Sequence, residues 1–185
     1  MTGRLVVVGG GVRSGKSKFA LRLATRLGER RVFVATGLAC DEEMRQRIAH
    51  HREQRGDDFR TVEAGVGLTS ALRRLRDADV VVVDCLTLFL SRCLISGGSA
   101  ASVEAAAVEF GEVVRSASCH VVVVTNEVGM GVVPDSRLGR EFRDVSGRAH
   151  QHLASLADEV YFAVLGMMLR LKPAPLEPVT AEALA

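Results

Sequence analysis

Gly10-Gly11-Val12-Arg13-Ser14-Gly15-Lys16-Ser17 has the spacing GxxxxGK[ST]. In this spacing the glycines let consecutive backbone N–H groups curl around phosphate oxygens. The lysine reaches the β and γ oxygens, and the hydroxyl of the following residue binds Mg²⁺. A glycine-rich turn that only caps a helix would not call for Lys16 followed at once by a hydroxyl residue. The chemistry indicated is the handling of a Mg-nucleoside triphosphate.

Further candidates stand at the ends of apolar runs. Asp84 closes Val80-Val81-Val82-Val83, where a parallel sheet would bring it beside the phosphate loop to orient Mg²⁺ or its water; an acid at a strand end is the plain alternative. Asn126 and Glu127 close the run from His120 to Thr125. They are candidates for sensing a γ-phosphate or binding substrate, with a structural turn as the alternative. His50 and His51 lie in the charged segment from Asp41 to Arg55. At about 100° per residue, His51 falls on the Met44/Ile48 stripe and His50 points away from it. A helical histidine is ordinarily a solvated or hydrogen-bonded side chain, and a catalytic role for His50, the free one of the two, is the less common alternative. His150 and His152 are two apart and share no helix face, and no histidine or cysteine spacing suits structural zinc.

The elements that must position these residues read as alternating strands and helices. Leu5 to Val8 is a strand that ends in glycines, and Lys18 to Leu27 follows with helical spacing. Arg31 to Thr36 is a second strand and Asp41 to Arg55 a mostly exposed helix. The valine runs at 80–83 and 121–124 are apolar without alternation, as expected of parallel strands covered on both faces. Ser102 to Ser116 and Arg148 to Ala157 read as helices, and Glu159 to Val164 as a last strand. The expectation is an α/β fold with a mostly parallel sheet of the P-loop NTPase type and helices on both faces, in one catalytic domain over residues 1–172. The tail at 173–185 contains Pro173, Pro175 and Pro178, which block regular helix, and is expected to be a loosely attached end.

Composition narrows the partners. The chain has 185 residues, 48% of them hydrophobic, enough to bury one core. A net charge of +2, one Tyr and no Trp leave neither a phosphate-neutralising face nor stacking platforms, so nucleic acid is not an expected partner. Cys40, Cys85, Cys93 and Cys119 are irregularly spaced and read as reduced thiols serving as small hydrophobes. With no signal-like start and no apolar run near 18 residues, the expectation is a cytoplasmic protein without a membrane anchor.

Beyond the loop GGVRSGKS, the chain carries VATG, DEEMRQRIAHHREQR, TVE, DCLTLFL, VTNEVGMGVVP, FRDVSGRAHQ and ADEV. Together these resemble the adenosylcobinamide kinase/adenosylcobinamide-phosphate guanylyltransferase family of cobalamin biosynthesis, over residues 5–172. The resemblance implies two reactions. A nucleoside triphosphate, ATP or GTP, phosphorylates the aminopropanol hydroxyl of adenosylcobinamide. GMP from GTP then passes to adenosylcobinamide phosphate through a phosphoramidate on the histidine matching His50, giving adenosylcobinamide-GDP. A neutral imidazole is a good nucleophile near neutral pH, and its N–P bond is reactive enough to pass GMP onward. The resemblance also implies that Ala35, Thr36, Gly37, His51, Arg52, Glu53, Gln54, Glu63 and Asp84 contact the guanine nucleotide, that Lys16 and Mg²⁺ stabilise charge in both steps, and that the protein is a homotrimer. The chain departs from the family pattern at Phe59, where Trp is frequent, at Ser91-Arg92, where Thr-Asn is common, and at His150, often Asn.

Two other readings fit the loop. A P-loop kinase of another small hydroxyl substrate would give His50 no covalent role. A nucleotide-dependent switch binding a protein partner would use the same loop, but no NKxD-type guanine motif is present.

Overall fold

The computed structural model describes residues 3–37, 42–175 and 177–179. Its strands are β1 (Leu5–Gly10), β2 (Arg31–Ala35), β3 (Arg60–Glu63), β4 (Val80–Asp84), β5 (His120–Val124), β6 (Glu159–Val164), β7 (Met167–Lys172) and β8 (Glu177–Val179). They form one sheet in the order β3-β2-β4-β5-β1-β6-β7-β8. Strands β3 to β6 in that order are parallel, whereas β7 and β8 join antiparallel. The helices are α1 (Lys16–Leu27), α2 (Glu42–Arg55), α3 (Leu68–Arg74), α4 (Leu86–Ile95), α5 (Ala100–Arg115) and α6 (Arg137–Leu156). The α/β architecture with a mostly parallel sheet is as expected.

The uninterrupted valine runs are explained by two cores, one on each face of the sheet. Val7, Val34, Val81, Val83, Val121 and Val123 point to the face covered by α3 to α6, where Phe89, Phe110, Val145 and Leu153 pack. Val6, Val8, Phe33, Val80, Val82, Val122 and Val124 point to the opposite face, against Phe19, Ala20 and Ala24 of α1. Side chains alternate along a strand, so a strand buried on both sides must be apolar at every position. Phe19 also packs its ring 4.9 Å from Tyr161 on β6, which ties α1 to the strand beyond β1.

Helix ends are capped where the chain must turn sharply. Ser99 accepts a hydrogen bond from the Ser102 N–H at the start of α5, and Ser136 from Gly139 N–H at the start of α6. The second of these starts α6 eleven residues before the Arg148 expected from hydrophobic spacing, because its first half is polar and its face half-exposed. The strand–helix alternation expected to run throughout ends at β6, where Leu165 and Gly166, both at positive φ, turn the chain into β7. Within the tail expected to be loosely attached, Glu177–Val179 pairs with Met168–Arg170. Pro178 is accommodated because β8 is an edge strand, where a missing N–H costs no ladder bond.

Candidate active site

The parallel register sets the site. Glu63 lies beside Ala35, Ala35 beside Asp84, Asp84 beside Val124 and Val124 beside Val8. One row across five strands therefore ends on the carboxyl edge, from which the phosphate loop, Asn126 and Glu127 continue. In open α/β sheets this is the edge where ligands sit.

The loop between β1 and α1 has the backbone its sequence demands. Gly10 has φ +147°, and a Cβ there would stand 2.6 Å from the Ala163 carbonyl oxygen. Gly15 has φ +90° and forms the N-cap of α1. A Cβ at Gly11 would meet nothing, so Gly10 and Gly15 are the obligatory glycines and Gly11 fills a variable position. Lys16 is buried, and its Nζ donates to the Gly11 carbonyl 2.9 Å away, which folds the ammonium over its own loop. Ser14 Oγ is buried with no hydrogen-bond partner. A curled loop with an inward ammonium and an unpartnered hydroxyl at the N-terminus of a helix suits an anion with several oxygens.

A second network joins the ends of β2, β4 and β5. Thr36, fully buried, donates through Oγ1 to the Cys85 carbonyl at 2.8 Å and accepts from the Cys85 N–H at 2.7 Å. Its own N–H donates to the Asp84 carbonyl at 3.2 Å. The peptide joining Asp84 and Cys85 is cis. Asn126 donates from its backbone N–H and from Nδ2 to Thr87 Oγ1 at 3.3 and 3.1 Å, and Thr87 Oγ1 lies 3.2 Å from Cys85 Sγ. Burial, with the Asp84 carboxylate nearby, pushes the Cys85 thiol up to about 11, so it stays protonated. The three described cysteines are free thiols, buried or half-buried as expected, and Cys40 lies outside the described residues.

Glu127 is fastened to the phosphate loop, its backbone N–H donating to the Gly10 carbonyl at 3.0 Å. Its Oε1 accepts from the Gly129 N–H at 2.5 Å, and its Oε2 lies 3.9 Å from His150 Nδ1. His150 Nε2 is 2.7 Å from Thr125 Oγ1. Burial holds His150 below its ordinary value, against the opposing pull of Glu127. Glu127 and Gly11 to Ser14 line one open cavity of about 400 Å³ together with Met130 and the β6–β7 turn. A larger cavity, of about 560 Å³, lies near the amino ends of β4 and β5 among Arg73, Arg76, Glu112 and Cys119, away from the loop.

Two residues in this edge drew no functional reading from sequence. His150 stood out only as a departure from the family pattern and as a poor metal ligand; its pairing with Thr125 depends on α6 crossing β5. Arg92 was likewise only a departure, yet it donates to the Thr36 carbonyl at 3.2 Å and lies against Gly65. His152 points elsewhere, against Gly111 of α5. Among the described residues no group of three or more His, Cys, Asp or Glu could hold a metal. His50 and His51 occupy the backbone of α2, while their side chains and that of Gln54 lie outside the described residues. Arg52 and Glu53 of that helix are exposed, as is Glu63.

A family model described as cobinamide kinase / cobinamide phosphate guanyltransferase matches residues 6–171. The bifunctional adenosylcobalamin biosynthesis protein CobU of Escherichia coli (strain K12) is 37% identical over 181 residues, covering 91% of this chain and 99% of that protein. The protein of the same name from Salmonella typhimurium is 36% identical over 183 residues, with 91% and 99% covered. The bifunctional adenosylcobalamin biosynthesis protein CobP of Pseudomonas aeruginosa is 38% identical over 168 residues, with 90% and 96% covered. Among solved structures, a prototypical ATPase from a bacterial type III secretion system aligns with TM-score 0.57 at 13% identity, covering 89% of this chain and 52% of that one. The RadB recombinase aligns with TM-score 0.54 at 16% identity, covering 97% and 83%. At such identities the two structures speak for the fold alone.

Proposed function

The chain belongs to the cobinamide kinase / cobinamide phosphate guanyltransferase family, and we propose that it carries out both transfers with one phosphate loop and one histidine. In the kinase step a triphosphate, ATP or GTP, lies on Gly10 to Ser17, and its γ-phosphoryl passes to the aminopropanol hydroxyl of adenosylcobinamide. Lys16 stabilises the charge that develops on the transferred group. In the second step His50 attacks the α-phosphorus of GTP, pyrophosphate leaves, and adenosylcobinamide phosphate then takes GMP from the imidazole.

The observation that carries this reading is the shared edge: the phosphate loop, Asp84, Ala35 and Glu63 emerge from one register row. Ala35, Thr36, Gly37 and Glu63 stand there as the guanine-nucleotide side, joined by His51, Arg52, Glu53 and Gln54 from α2. Ser17 and Asp84 fit Mg²⁺, since both offer hard oxygen donors and Mg²⁺ is commonly held by one or two protein ligands with substrate phosphates completing the shell. When bound, the ion would neutralise phosphate charge. Asn126 and Glu127 face the reacting phosphates or the acceptor. A homotrimer in the cytoplasm completes the reading, with α2 of one subunit packing on a neighbour. Among the described residues no helix is long and apolar enough to cross a membrane. Neither a kinase of another hydroxyl substrate nor a protein-binding switch draws support from the relatives.

The test is incubation with Mg²⁺ and GTP labelled at the α-phosphate, followed by acid and alkali treatment. We expect acid-labile, alkali-stable label on wild type and His51→Ala and none on His50→Ala. Absence of label on wild type would remove the guanylyl half of the reading.

A further inference from the structure

The kinase step needs a group to accept the proton of the attacking hydroxyl, and two acids stand on the carboxyl edge beside the loop. Asp84 ends β4, which is separated from β1 by β5. Glu127 follows β5, the direct neighbour of β1, and its N–H is bonded to the first glycine of the loop. Glu127 lines the same cavity as Gly11 to Ser14.

The carboxylate is also held in a fixed direction. Gly129 N–H engages Oε1. The second oxygen looks toward His150, too far away at 3.9 Å for a hydrogen bond. The imidazole is itself fixed through its other nitrogen on Thr125. No cation pairs with Glu127 among the described contacts other than this histidine, whose burial favours its neutral form. An anionic carboxylate beside a polyphosphate is repelled by it and gains nothing as a phosphate ligand, whereas it suits the acceptance of a proton from a hydroxyl.

We propose that Glu127 is the general base of the phosphoryl-transfer step. The acceptor oxygen forms its bond to the γ-phosphorus while the bond from that phosphorus to the β–γ bridging oxygen breaks. The nucleoside diphosphate leaves with the electron pair, and the hydroxyl proton moves to a Glu127 carboxylate oxygen. The assignment rests on the kinase half of the function above and gives that half a residue the guanylyl half does not need.

The experiment measures adenosylcobinamide phosphorylation and, separately, transfer of label from α-labelled GTP to pre-formed adenosylcobinamide phosphate, in wild type, Glu127→Gln and Glu127→Asp. We expect Glu127→Gln to lower kcat of phosphorylation by about 10²-fold or more, with KM for the triphosphate within about twofold and a loss in guanylyl transfer at least tenfold smaller. Glu127→Asp keeps a carboxylate and should recover at least tenfold over Gln. Equal rates for the Asp and Gln variants, or an unchanged kcat in Gln, would overturn the assignment. So would a Gln defect repaired by raising Mg²⁺, which would make the residue a metal ligand. Wild type that transfers GMP but phosphorylates nothing would remove the kinase reading itself, a result distinct from any of these.

Discussion

The two regions that bring reactive groups to this enzyme are built in opposite ways. The phosphate loop is tied down at both ends although its tip is exposed: β1 runs between β5 and β6, Lys16 is buried over its own loop, and Glu127 is bonded to Gly10. Helix α2, which carries His50, is a polar helix whose described side chains are exposed apart from half-buried Ile48. Among its described residues, Arg45 and Gln46 bond locally to Glu42. The loop that must hold a fixed charge pattern is preorganised by the sheet. In the proposed guanylyl transfer, His50 would attack one phosphorus and then leave it to the acceptor, and the described side chains of the helix that carries it are mostly exposed.

That contrast can be broken by substitution, and the largest effect should come from the loop. Gly10→Ala places a Cβ at a backbone conformation that L-residues avoid and within 2.6 Å of the Ala163 carbonyl oxygen. We expect a loss of about 2–4 kcal/mol in urea unfolding, and phosphorylation should fall with it, since the loop can relieve the clash only by leaving β6. A variant with wild-type stability would show that the loop is looser than its contacts indicate.

Next in size is Thr36→Val, which keeps the shape and removes the hydroxyl that serves both the Cys85 N–H and its carbonyl. The buried Cys85 N–H would be left unpaired, while its carbonyl would keep the Phe89 N–H at 3.3 Å, so a cost of about 1–3 kcal/mol is expected in the same assay. Because Arg92 also bonds the Thr36 carbonyl, KM for GTP in the guanylyl step should rise in this variant. A change in stability with an unmoved KM would separate the β2 end from the nucleotide.

The same division explains how much was legible in the chain. The loop, β1, β2, β4, β5 and Asp84 were readable because their local chemistry is extreme: closely spaced glycines before a lysine, and runs of apolar residues, mostly valine, in strands buried on both faces. Leu86–Ile95 was not read as a helix, because it is apolar nearly all round and shows no helical stripe; it packs against α5 and α6 in the core on that face of the sheet. The β7–β8 meander was hidden by short strands and prolines, whose pairing is a property of the sheet edge. His150 and Arg92 were legible only as residues, since their partners Thr125 and Thr36 lie 25 and 56 positions away. His50 is a candidate through family resemblance alone: a histidine on a polar helix carries no local signal of nucleophilicity.

The smallest expected effect tests the other side of the contrast. Arg45 and Glu42 form an exposed ion pair one turn apart on α2, at 3.0 Å. Such pairs contribute little because solvent screens them and both side chains lose freedom to meet. Arg45→Gln should therefore change the stability of an isolated subunit by no more than about 0.5 kcal/mol, measured at protein concentrations low enough to dissociate any assembly. Repeated at high concentration, the same variant reports on the surroundings of α2. If the helix packs on a neighbouring subunit, the cost should grow with concentration, because the guanidinium would then be desolvated beside a partner. A cost above 1 kcal/mol in the isolated subunit would mean that α2 is anchored within its own chain, and the contrast between a clamped loop and an unburied histidine helix would fail.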